Sequence, residues 1–240
     1  MYKGIFDERH KMILSPIAIE PVEKRFIKTP SDGEYEGGLL CDDCDNKLLG
    51  DYYENYASRA IYGGELLAEE CPTFKSFRNQ HGMEFIKCNK LNYHKFKLFL
   101  LSILWRASIS TRPFFSEINL NEHEERIRQM LLSKNAGDVS EYPIVVMTYA
   151  HDSTLPKELI AQPRFVDLGD NIHLYSFMIN GYFYFFYVSH NNSNIPEFAL
   201  SETIKPNNEL NILIIPKDRG WDFILGQSGI KNEPIQRNVL

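Results

Sequence analysis

No apolar run in the 240-residue chain is long enough to cross a bilayer. The longest, LFLLSILW at 98–105, lies between Lys97 and Arg106, far short of the roughly 20 residues a spanning helix needs. The start, MYKGIFDERHK, is mixed in charge and lacks the apolar segment of a secretory signal. Cysteine is scarce: four residues, separated by 2, 26 and 16 others, do not make a disulfide framework in a chain this long. These absences point to a reducing cytoplasm and no membrane. Positive charge is not in excess either, with 26 Lys and Arg against 32 Asp and Glu and a net charge of -6. That excludes a surface that binds nucleic acid everywhere, so a nuclease would need a local basic patch for its phosphate contacts. Lys24, Arg25 and Lys28 are the first candidates, followed by Lys87, Lys90, Lys95 and Lys97; the commoner meaning of such lysines is a solvated face. Glycine-rich phosphate loops, G-x-S-x-G elbows and H-E-x-x-H motifs are missing. His151-Asp152-Ser153 has nothing to orient a nucleophile and reads as a loop.

Aromatic residues, by contrast, are plentiful: 16 Phe, 13 Tyr and 2 Trp in a chain that is 43% hydrophobic. Such a chain can bury a large core. Apolar residues at Leu48, Leu49, Tyr52, Tyr53, Tyr56, Ala57, Ala60 and Ile61 predict a helix over 45–62 with one buried face, ended by Gly63-Gly64. A short strand is expected just ahead of it, leading to Cys41. A second helix, about 93–108, carries apolar residues nearly all round and should be buried. A third runs from Asn121, as cap, to about Ser133, with Glu124 at the capping-box position. Beyond Gly137 the pattern becomes β, with strands at 142–150 and 209–216. IHLYSFMI-NG-YFYFFYVS forms a hairpin whose Asn180-Gly181 turn demands positive φ at both positions. Both hairpin faces are apolar, so the sheet should be covered on both sides, with the aromatics of 182–187 in the core. The last two dozen residues read as a loosely held tail.

The chemistry centres on Cys41-x-x-Cys44 at a helix start. A redox dithiol is disfavoured because Asp42, Asp43 and Asp45 oppose a thiolate. Half of a tetrahedral zinc site and a pair of small packed residues are the other meanings. Cys71, His81, Cys88 and His94 match no standard zinc spacing, and His10 is a weaker candidate still. His151 and His190, in polar loops, read as solvated.

LLC-x-x-C-D-N-x-x-x-G followed by E-x-Y-A resembles the second half of HNH-type, ββα-metal endonuclease-like bacterial proteins. Leu40, Cys41, Cys44, Asp45, Asn46, Gly50, Glu54, Tyr56 and Ala57 carry the match, and 97–115, 124–132 and 137–146 extend it diffusely. The resemblance implies structural zinc at Cys41 and Cys44. It also implies magnesium or manganese catalysis, with Asp45 a possible metal ligand and Asn46 orienting the helix start. The family's first C-x-x-C and its S-H-I-I-P stretch are missing from this sequence, because they precede the part that matches MYKGIFDERHKM. The expectation is a protein with an incomplete metal and catalytic site, holding zinc weakly or not at all. DNA, or a second chain completing the site, would be its partner. The alternative is a non-catalytic binding module in a bacterial defence system. The fold class expected is α+β, a helical N-terminal part with a partial ββα-metal-like motif packed on a C-terminal antiparallel sheet. Its segments are 1–64 (HNH-like), 65–136 (helical) and 137–240 (β-rich, with hairpin 172–189).

Overall fold

A computed structural model describes residues 13–15, 36–80, 82–149, 151–190 and 194–227. In chain order its elements begin with β1 (Ile13–Ser15) and a π-helical segment (Asp43–Glu54) that runs directly into α1 (Asn55–Tyr62). Next come β2 (Thr73–Arg78), β3 (Glu84–Asn89), α2 (Tyr93–Ile109) and α3 (His123–Ser133). The β-rich part holds β4 (Ile144–Thr148), β5 (Leu159–Asp167), β6 (Ile172–Ile179) and β7 (Tyr182–Ser189). It ends with α4 (Glu197–Glu202), β8 (Leu210–Ile214) and α5 (Gly220–Gln227).

The fold is α+β. Among the described residues eight strands form one sheet in the order β1-β5-β6-β7-β4-β8-β3-β2. It is mostly antiparallel, with β1–β5 and β4–β8 parallel. Hairpin β6–β7 lies at its centre, and Asn180 and Gly181 turn it at φ 49° and 84°, the double positive φ the Asn-Gly pair supplies. Side-chain alternation sends Tyr175, Phe177, Tyr184 and Phe186 to one face and Met178, Phe183 and Phe185 to the other. Helices α1, α2 and α3 cover the first face. Ala199 of α4 and Phe223 of α5 cover the second, with Phe223 edge-on to Phe183 and Phe185. Helix α2 is the hub of the first layer; Leu98, Leu100, Leu101 and Leu104 are fully buried, as its all-round apolar pattern requires.

Four expectations need correction. Residues 36–40 form a turn with Gly38 at φ 83°, so no strand leads into Cys41 within the described chain. The segment read as helical also contributes β2 and β3, which extend the sheet beyond β8. Strand β2 is exposed along its whole length, so its sequence carries no burial alternation to betray it. Asn121 does not cap α3: it takes φ 49°, and Glu122 occupies the cap without a side-chain capping bond. Finally, part of the expected tail is α5, held because Asp152 accepts a hydrogen bond from the Gly220 amide at 2.7 Å.

Candidate functional site

Cys41 and Cys44 sit on the opening turn of the π-helical segment, where the Asp45 amide donates to the Cys41 carbonyl at 2.9 Å. Cys41 is exposed and Cys44 half-buried. The Cys44 amide and thiol both donate to the Cys41 sulfur, which lowers the Cys41 thiol below its ordinary range although Asp43 opposes this. Cys44, which gives its proton to that contact, is raised. The acidic neighbours therefore do not dominate Cys41, contrary to the sequence expectation; hydrogen bonds to the sulfur outweigh them. Asp45 and Asn46 are exposed on the same turn. Behind them the helix is firmly anchored. Leu49, Tyr53 and Ala57 are buried, and the Tyr53 hydroxyl donates to the Leu131 carbonyl at 2.6 Å. Asn55 donates to the Gly50 carbonyl, five residues back, which is the wide winding of a π-helix.

Elsewhere the predicted ligands do not converge. Cys88 is buried and its thiol is pushed up to about 12 by burial, Cys71 is exposed, and His94 Nδ1 accepts from the Ala136 amide. His10 and His81 lie outside the described residues, as do Lys24, Arg25 and Lys28. The other candidate lysines are spoken for. Lys95 pairs with Glu70 and Lys87 with Glu209, each at 2.9 Å, and Lys90 donates to the Ala68 carbonyl. Lys97, expected on a solvated face, is fully buried and donates to Tyr93 Oη at 3.0 Å and the Asp138 carbonyl at 2.8 Å. Burial drives its pKa down to about 7, against the pull of Glu141 and Asp138. Asp152 is buried within its loop, bonded to Thr154 and Gly220, while His151 is exposed, so no triad exists there.

A constellation the sequence did not reveal lies where α3 begins and β7 ends. Among the described residues, Glu122, His123 and His190 are the one group of three metal-type ligands, with a ligand atom of each within 4.8 Å of the others. His190 is exposed just past the end of β7, as read from the sequence, but it is paired there as well as solvated. Its Nδ1 is 2.5 Å from Glu122 Oε1, and its ring centroid is 4.6 Å from that of His123. His123 is 8% exposed, and its Nδ1 is 3.0 Å from the Tyr142 hydroxyl. Its Nε2 is buried without a hydrogen-bond partner, a state that costs about 1–3 kcal/mol. Burial first, then the neighbouring His190, hold the imidazole below its ordinary pKa, which favours the neutral form.

The surroundings fix this histidine. The Leu120 amide donates to Ser108 Oγ at 3.0 Å, the His123 amide to the Leu120 carbonyl at 3.0 Å, and the Tyr175 hydroxyl to the Asn119 carbonyl. Together they pin the turn before α3 to α2 and to β6. Tyr142 holds φ at 50° immediately before a proline, an unfavourable conformation for a bulky residue, and burial pushes its hydroxyl up to about 12. Burial thus favours the protonated hydroxyl beside His123. No sequence pattern marks the group: Glu122 and His123 look like the polar start of a helix, and His190 like the polar end of a hairpin.

No family model, no curated protein and no solved structure matches the chain.

Proposed function

We propose that this chain is an HNH endonuclease-related protein that does not cleave nucleic acid by itself. Cys41 and Cys44 would supply half of a structural zinc site that ligands from another segment or a second chain complete. The observation that carries the reading is the geometry of the pair. Two sulfurs in contact sit on an exposed helix-opening turn, with no third ligand near them among the described residues. Zinc needs four ligands in a tetrahedron, and two cysteines hold it weakly. Asp45 is available on the same turn as a magnesium or manganese ligand, but the S-H-I-I-P histidine that would act as base has no counterpart in this sequence. Loss of a positioned base costs ~10²–10⁴ in rate.

The non-catalytic reading, a partner module of the kind the resemblance associates with bacterial defence, has its own support. The described lysines flagged as a basic patch are paired, bonded or buried, which weakens the case for DNA. The test is incubation of the chain with plasmid DNA, single-stranded DNA and RNA in magnesium or manganese. No cleavage is expected. Cleavage abolished by Asp45→Ala would overturn the proposal, because it would show a working site on that turn.

A further inference from the structure

We propose that Glu122, His123 and His190 form a second, independent site, which binds a divalent ion of the zinc class through three protein ligands and leaves one position open. The donor set is two imidazoles and a carboxylate. Nitrogen ligands suit zinc, cobalt, nickel or iron(II), whereas magnesium and calcium prefer all-oxygen shells. Two histidines with one glutamate, plus a water, is also a recurrent arrangement for zinc with an exchangeable fourth ligand.

A surface ion pair would account for Glu122 and His190 alone. It leaves unexplained why His123, 8% exposed, packs its ring against His190 with a buried Nε2 that bonds to nothing. A metal ion explains it. When Nδ1–H donates to the Tyr142 hydroxyl, 3.0 Å away, the lone pair is left on Nε2. This is the outer-shell hydrogen bond that fixes the tautomer and orientation of a metal-bound histidine. The Glu122 carboxylate makes no capping bond to α3 and is turned toward His190, the second imidazole.

The three ligand atoms lie within 4.8 Å of one another, so a small adjustment brings them to metal-binding spacing. Ligand atoms about 2.0–2.1 Å from a tetrahedral zinc lie about 3.3 Å from one another. Glu122 Oε1 and His190 Nδ1, at 2.5 Å, must part by less than an ångström, and both side chains are solvent-accessible enough to do so, at 70% and 44%. His123 and Tyr142 are buried and stay in place. The site is one fixed ligand and two that close on it.

The test uses the full chain carrying Cys41→Ser and Cys44→Ser, so that no thiolate contributes, stripped of metal and titrated with zinc chloride by calorimetry and equilibrium dialysis. One saturable equivalent is expected, undisturbed by millimolar magnesium. Glu122→Gln and His190→Asn, at exposed positions, should each weaken binding at least tenfold while the thermal melt of the metal-free protein stays unchanged. Absence of one-to-one binding in the cysteine-free chain, or binding that His190→Asn leaves intact, would overturn the site. Neither outcome depends on whether the Cys41–Cys44 pair finds a partner.

Discussion

The opening turn at Cys41 and Cys44 and the junction of α3 with β7 both offer metal ligands, yet they are built in opposite ways. At the turn the ligands are neighbours in sequence, exposed or half-buried, and bonded to each other. At the junction two adjacent residues, Glu122 and His123, meet the distant His190, and His123 is buried and held by Tyr142. A sequence motif advertises ligands without guaranteeing a site; a site needs a supporting shell, and among the described residues the Tyr142 hydroxyl provides such a contact at the junction. Preorganisation, more than ligand spacing, separates the two.

The largest expected effects come from what lies behind each region. Tyr53 is fully buried beneath the opening turn and bonds to Leu131 on α3, so Tyr53→Ala should destabilise the protein by about 3–5 kcal/mol. Asp45→Ala, on the exposed surface of that turn, should stay within about 0.5 kcal/mol. Chemical denaturation distinguishes them; equal effects would mean that the turn, not the helix behind it, carries the packing.

Next comes pH. Lys97 supports the loop leading to Tyr142 and has its pKa lowered to about 7 from 10.5. A lysine whose folded pKa lies below its unfolded value binds fewer protons folded than unfolded between the two. Stability therefore rises with pH through that window. Roughly 2 kcal/mol should be gained between pH 7 and 9, and Lys97→Met should flatten the slope. Above the ordinary tyrosine range the trend reverses. Burial raises Tyr53, Tyr93, Tyr149 and Tyr184, which would ionise only on unfolding, so that stability then falls. A flat profile from pH 7 to 9 in the unsubstituted protein would contradict the buried lysine.

Smaller still is the supporting hydroxyl. Tyr142→Phe keeps the ring but removes the partner of His123 Nδ1, and should weaken zinc binding about 10-fold. An unchanged affinity would mean that the tyrosine is only packing. Gly181→Val, at φ 84° in the β6–β7 turn, should cost about 1 kcal/mol or more in thermal stability.

Local patterns in the sequence carried much of this fold. The α2 register, the two-faced hairpin and its Asn-Gly turn follow from apolar spacing and turn chemistry. What escaped was decided by tertiary context. Strand β2, TFKSFR, is exposed at every position, so its pairing with β3 leaves no buried periodicity to read. Helix α5 depends on the buried carboxylate of Asp152, far back in the chain. Lys97 is polar in type but interior in place because the Asp138 carbonyl and Tyr93 meet its ammonium. The Glu122–His123–His190 group was unreadable for the same reason: only the sheet brings the end of β7 to the start of α3. The Cys-x-x-Cys pair was readable because its two residues are local.

Cobalt(II) titration of the metal-free, unsubstituted chain tests most directly whether metal binding resides at the junction and not at the cysteine motif. One equivalent should bind with visible ligand-field bands and no sulfur-to-metal charge-transfer absorption. The spectrum should persist in the Cys41→Ser, Cys44→Ser chain and vanish in His190→Asn. An intense near-ultraviolet thiolate band that disappears with the cysteines would contradict the account and place the ion on the opening turn.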